Sequence, residues 1–171
     1  MIILGLDPST LNTGWGIISV SKTNDMSYVD GGVIKPKKTL TVDQRVLFIY
    51  KAVKDILKEN NTTSDVASEA GFVGYRNFKT AMSLQAARTA CMIAVMESGY
   101  TWNEIKPSEI KEAITGHGGA SKSEVAEMVY ITLGSPSNLI GVPDDVTDAL
   151  GAAIAHVGNL ALKMKYREAL E

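Results

Sequence analysis

Short apolar runs open the chain, and helical stripes take over beyond its first quarter. Met1–Leu6 is a mostly apolar run halted at Asp7-Pro8, which predicts a buried strand. Asn12-Thr13-Gly14 reads as a turn, Trp15–Val20 as a second strand, Ser21–Ser27 as a polar turn and Tyr28–Ile34 as a third strand. Connections this short predict an antiparallel meander. A helix is predicted from Thr41 to Asn60-Asn61. Thr41 and Gln44 stand in capping-box spacing, and Val42, Val46, Ile49, Val53, Ile56 and Leu57 make its apolar stripe. Asp65–Ser68 predicts a fourth strand ending at Glu69, and Thr101–Ile105 a fifth.

Between those strands, Asn77–Ser98 predicts a long helix. Ala81, Leu84, Ala87, Ala90, Cys91, Met92, Val95 and Met96 cover more than one stripe of it, so burial on two sides is expected, with core on one side and a subunit partner on the other. Pro107–Ile114 reads as a short helix and Thr115–Ala120 as a glycine-rich loop. Ser121 with Glu124 caps a further helix to Leu133, and Gly134–Asn138 is a loop. A last helix opens at Pro143, whose missing N–H suits a helix start, and runs to about Met164. A meander followed by alternating helix and strand predicts an α/β fold, a mixed sheet covered on both faces.

Length and composition narrow the class. The chain has 171 residues, enough for one domain spanning residues 1–171 and too few for two ordinary ones. A net charge of -2 means that any basic nucleic-acid surface must be local. The single Cys91 cannot form an internal disulfide, which points to a reducing, cytoplasmic compartment. The N-terminus lacks a basic leader and Asp7 cuts its apolar run, so no signal peptide is expected. Ala149–Leu162 is broken by His156 and Asn159 and is too short to span a bilayer, so no membrane partner is expected.

The candidate chemistry lies in the acids. Asp145 and Asp148, three apart, leave one face of the last helix at its start. Taken alone, such acids compensate the helix dipole. However, two strands also end in an acid, Asp7 and Glu69, and open α/β sheets gather their sites at strand ends and helix N-termini. Two like charges ~4 Å apart repel by about 4 kcal/mol at an effective dielectric near 20, so four clustered carboxylates stay ionised only around cations. Oxygen-only ligands suit Mg2+ or Mn2+. Two such ions ~3.5–4 Å apart activate a water and stabilise the leaving oxygen of a phosphodiester.

These residues carry a resemblance. Ile3-Leu4-Gly5-Leu6-Asp7-Pro8-Ser9 through Thr13-Gly14-Trp15-Gly16, Glu69 at the end of the fourth strand, and Asp145-Val146-Thr147-Asp148-Ala149-Leu150 resemble the RuvC-type Holliday-junction resolvases of the ribonuclease-H-like superfamily. The resemblance extends from about Ile2 to His156, and Ser9 stands where the family usually has glycine. It implies a ribonuclease-H-like sheet of three antiparallel strands followed by two parallel ones. It also implies an endonuclease that nicks two opposed strands of a four-way junction, leaving 5′-phosphate and 3′-hydroxyl ends. The enzyme would be a homodimer formed through helix 77–98, with two Mg2+ per site, replaceable by Mn2+, held by Asp7, Glu69, Asp145 and Asp148. Asp144 reads as a cap, although it and Asp145 could exchange roles.

The resemblance further places Lys111 and Lys122 at the scissile phosphate, and Phe72 as an aromatic that stacks or wedges at the junction centre. Lys122 also lies in the first turn of a helix after a glycine loop, a reasonable anion site. From Ala70 to Met96 there is no acid, yet Arg76, Lys79 and Arg88 are present, and Lys35, Lys37 and Lys38 form a second basic group. Both groups could contact phosphates, as could an ordinary solvated face. His117 is a loop histidine that could move a proton, His156 reads as structural, and Cys91 as packing. Two alternatives stay open: a relative of relaxed specificity that cuts flaps, forks or RNA–DNA hybrids, and a non-catalytic junction-binding scaffold. Cleavage-site preference, a bacterial or viral source and a branch-migration motor as partner are not encoded in these motifs.

Overall fold

The computed structural model describes residues 1–71 and 78–168. Five strands, β1 (Ile2–Asp7), β2 (Thr13–Val20), β3 (Met26–Ile34), β4 (Asp65–Glu69) and β5 (Trp102–Ile105), form one sheet in the order β3-β2-β1-β4-β5. β1 pairs antiparallel with β2, and β2 with β3, while β4 runs parallel to both β1 and β5. The predicted mixed sheet is therefore the observed one.

Side-chain alternation along the strands divides the core in two. Leu4, Leu6, Ile17 and Val66 face α1 (Val42–Glu59) and α2 (Phe78–Glu97). Ile3, Ile18, Ala67 and Ile105 face α3 (Pro107–Thr115), α4 (Lys122–Thr132) and α5 (Asp144–Glu168). Both predicted capping boxes are formed: Thr41 accepts from the Gln44 N–H at 3.3 Å, and Ser121 from the Glu124 N–H at 3.3 Å. Each satisfies donors that a helix start leaves without intrahelical partners.

α5 lies almost flush against β1 and β2, and glycine makes this possible. A Cβ on Gly5 would stand 1.9 Å from the Ala149 carbonyl oxygen, and one on Gly14 1.8 Å from that of Asp145. Ala149, Ala152 and Ala153 are fully buried along the same line. The close approach carries the first turn of α5 over the ends of β1 and β2.

Two details differ from the expectations drawn from sequence. α5 begins at Asp144, and Pro143 is its cap residue, its carbonyl accepting from the Val146 N–H at 2.9 Å. The loop after α4 contains a 3-10 turn at Ser137–Leu139, which buries Leu139 in the core. α2 buries Ala87, Ala90, Cys91, Ala94 and Val95, but its other side leaves Phe78, Met82, Ile93 and Met96 exposed. A single chain thus covers one of the two faces for which burial was expected. No helix among the described residues is long and apolar enough to cross a membrane.

Candidate active site

Strand register brings the first two acids together. Leu6 pairs with Ser68 across the parallel β1–β4 ladder, so Asp7 and Glu69 end adjacent strands side by side. Leu6 points to the α1–α2 face, so alternation sends Asp7 to the α5 face; Ala67, two residues before Glu69, already lies on that face. There the first turns of α5 present Asp145 and Asp148.

The electrostatics show how closely these groups are gathered. Burial raises the Asp7 carboxyl from 3.8 to about 7, and the charges of Glu69, Asp148 and Asp145, in that order, add to the rise. Glu69 is also raised, first by burial and then by Asp148, while Lys122 and Lys111 oppose the shift. Lys122 Nζ donates to Asp148 Oδ2 at 3.0 Å, and this bond is the first cause that raises the lysine's own pKa. Asp144 is exposed and lies on the α4 side of the helix, beside Ser123 and Ala126.

Asp7, Glu69 and Asp148 line a cleft of about 310 Å³ whose other wall carries Lys111 of α3 and Lys122 of α4. A second cleft, of about 240 Å³, opens on the α2 side of the same two strand-end acids. Asp7 and Glu69 therefore form a ridge between two hollows.

Among the described residues, no group of three or more acidic, histidine or cysteine side chains stands ready as a metal cage. Lys122 instead pairs with Asp148. The donor set nevertheless fits a hard divalent cation. It is made of oxygen alone, Asp7 is driven toward its neutral form by burial and then by its acidic neighbours, and a lysine ammonium rests beside Asp148.

The remaining candidates separate by place. Lys79 is exposed near the start of α2, and Phe72 and Arg76 lie outside the described residues. Lys35, Lys37 and Lys38 are exposed on the loop after β3. Because Asp7 pairs with Gly14 and Gly14 with Val33, this loop leaves the sheet at the same end as the acids. His117 is exposed in the loop between α3 and α4. His156 is fully enclosed, with Nε2 2.8 Å from Asp65 Oδ2, and Asn103 donates to the other oxygen of that carboxylate at 2.9 Å, so its role is structural. Burial pushes the Cys91 thiol up to about 12, which leaves it inert packing.

Arg88, named from sequence as one of a basic group, has partners that the sequence did not indicate. Arg88 pairs with Glu104 of β5, which also accepts from Trp102 Nε1 at 2.5 Å, and Arg88 with Gln85 lines the second cleft. No local signal marks such a set, because it joins a helix to a strand that follows it in sequence and only tertiary packing brings the two together.

The sequence profile of the family "Crossover junction endodeoxyribonuclease RuvC" matches residues 3–156. The chain belongs to the RuvC family. A RuvC of Chloroflexus aurantiacus is 35% identical over 156 residues, 91% of this chain and 92% of that one. The structure of Thermus thermophilus RuvC superposes with a TM-score of 0.81 at 29% identity, covering 95% of this chain and 97% of that one. T. thermophilus RuvC in complex with a Holliday junction substrate superposes with a TM-score of 0.83 at 30% identity, covering 92% and 93%. The RuvC match spans β1 to the middle of α5, so all four acids and both lysines lie within it.

Proposed function

We propose that this chain, acting as one nuclease domain, resolves four-way DNA junctions by metal-dependent hydrolysis of two opposed strands. The carrying observation is the convergence of Asp7, Glu69 and Asp148, on strands and a helix distant in sequence, upon a cleft lined by two lysines, with the charge of Asp145 also reaching Asp7. Membership of the RuvC family supports the substrate class. Asp7, Glu69, Asp145 and Asp148 would hold two Mg2+ ions, with Mn2+ as a replacement. When bound, these ions supply water activation and charge stabilisation at the phosphodiester. Asp145 rather than Asp144 serves as the third ligand, because its charge reaches Asp7 and Asp144 turns toward α4.

The chain's own groups do the rest. Lys122 and Lys111 present ammonium groups to the phosphate from the wall opposite the acids, where negative charge grows as the phosphorus–oxygen bond is broken. Lys122 pairs with Asp148, and with a cation held by that carboxylate its ammonium would be available to the phosphate. Phe72, Arg76 and Lys79 contact the junction beyond the cut. Lys122→Met is expected to slow junction cutting by about 10²-fold, the usual scale for removing one transition-state donor. Single-turnover cleavage at saturating protein checks this, and an unchanged rate would remove Lys122 from the chemistry.

The exposed Phe78, Met82, Ile93 and Met96 make the outer face of α2 the proposed homodimer contact. Sedimentation is expected to give a dimer at micromolar concentration and a monomer for Met82→Glu/Ile93→Asp. A wild-type monomer would remove the contact. Substrate choice is tested by offering a labelled four-way junction beside a linear duplex, a flap and an RNA–DNA hybrid in Mg2+. Selective cutting of the junction is expected. Equal cutting of flaps would broaden the substrate, and binding without cutting in either metal would leave a scaffold.

A further inference from the structure

The two clefts that meet at Asp7 and Glu69 have different far walls. Beyond the ridge from Lys111 and Lys122, the second cleft is closed by α2, which contributes Ala81, Leu84, Gln85 and Arg88. Arg88 is the cation among its described lining residues. Its guanidinium is anchored at one end and lightly held at the other. Nη2 pairs with Glu104, itself held by Trp102, while Nη1 donates to the amide oxygen of the exposed Gln85 at 3.2 Å. Nε is buried without a hydrogen-bond partner among the described residues.

A phosphate oxygen carries a charge that the Gln85 amide oxygen lacks, which makes it the stronger partner for a guanidinium. A strand crossing the ridge also carries phosphates on both sides of the scissile group, and each is best held by a positive side chain of its own. The lysines meet that need on one side only. We infer that the second cleft receives the sugar–phosphate backbone of the cut strand next to the scissile phosphate, with Arg88 Nη1 exchanging the Gln85 amide for a phosphate oxygen. Glu104 and Trp102 position the guanidinium and do not touch the DNA. This inference rests on the nuclease reading of the ridge and extends it to the path of the strand.

The test is the salt dependence of junction binding, measured by fluorescence anisotropy without divalent metal. Arg88→Gln alone leaves Glu104 unpaired and can weaken the fold, so the decisive variant is Arg88→Gln/Glu104→Gln, which keeps the net charge. With one fewer phosphate neutralised, the slope of log affinity against log salt becomes shallower by about one. The weakening of affinity between about 50 and 200 mM salt then shrinks by roughly threefold. Glu104→Gln alone is expected to keep the full slope. A double variant with the wild-type slope would overturn the inference, because a purely structural Arg88–Glu104 pair does not change counterion release. Cutting by the unsubstituted protein, scored in parallel with Mg2+, keeps the two ideas separable. Binding without cutting would remove the nuclease reading, and the slopes would still report on Arg88.

Discussion

Asp7→Asn is expected to abolish junction cutting and, at the same time, to make the metal-free protein more stable at pH 8. The two effects share a cause. Asp7 is held at about 7 against 3.8, by burial first and then by the charges of Glu69, Asp148 and Asp145. A carboxyl raised on folding binds more protons in the native state than in the unfolded one. Stability therefore falls as pH rises from about 4 to about 7, and the penalty is complete above that window. At roughly 1.4 kcal/mol per unit, the ionised Asp7 costs the folded, metal-free chain on the order of 2–4 kcal/mol. Glu69, raised in the same sense, adds to it.

Asparagine removes that charge and keeps the shape. Melting curves at pH 8 without metal should place the variant roughly 5–10 °C above wild type, and the difference should vanish near pH 4. Mg2+ should raise the melting temperature of the wild type much more than that of the variant, because a ligand that binds the native state stabilises it by mass action. Cutting should fall by about 10³-fold or more, on the scale of losing an essential electrostatic group. A variant that melts below wild type at pH 8 would mean that the acids are not crowded as described.

Gly14→Ala is expected to be the most damaging added methyl among the described glycines. Its Cβ would stand 1.8 Å from the Asp145 carbonyl oxygen and 2.4 Å from the carbonyl carbon, both backbone atoms that no side-chain rotation can move. β2 and α5 must then separate by more than an ångström, which opens the buried Ala149–Ala153 seam and shifts Asp145 and Asp148 away from Asp7. A loss above about 4 kcal/mol is expected, in the range of severe overpacking combined with a broken core. Gly158→Ala is the matched control. It lies exposed within α5 with nothing within 4 Å of the added atom, and it should stabilise by up to about 1 kcal/mol through helix propensity. Urea denaturation of the two variants checks both signs. A tolerated Gly14→Ala would contradict the flush packing that positions the site.

Much of this was legible because the signals are local. The run up to Asp7, the capping residues Thr41 and Ser121, and the Asp145/Asp148 spacing each specify an element without help from the rest of the chain. The mixed sheet followed from connection lengths, short for the meander and helical for the parallel strands. Other features depend on tertiary neighbours. The Ser137–Leu139 turn forms where Leu139 can be buried against the core. The Arg88–Glu104 pair exists only because α2 packs beside β5, which composition cannot reveal. The site itself was half legible: the acids that meet could be named, but not the ridge they form, nor the ion pair between Lys122 and Asp148.

The most direct test of the account is incision of a four-way junction labelled on each strand in turn, in Mg2+, with Asp145→Asn as control. The account predicts paired nicks at symmetric positions on two opposed strands, ends that ligase can seal without processing, and no nicks from the variant. Nicks that persist in Asp145→Asn, or that fall on strands without symmetry, would contradict it.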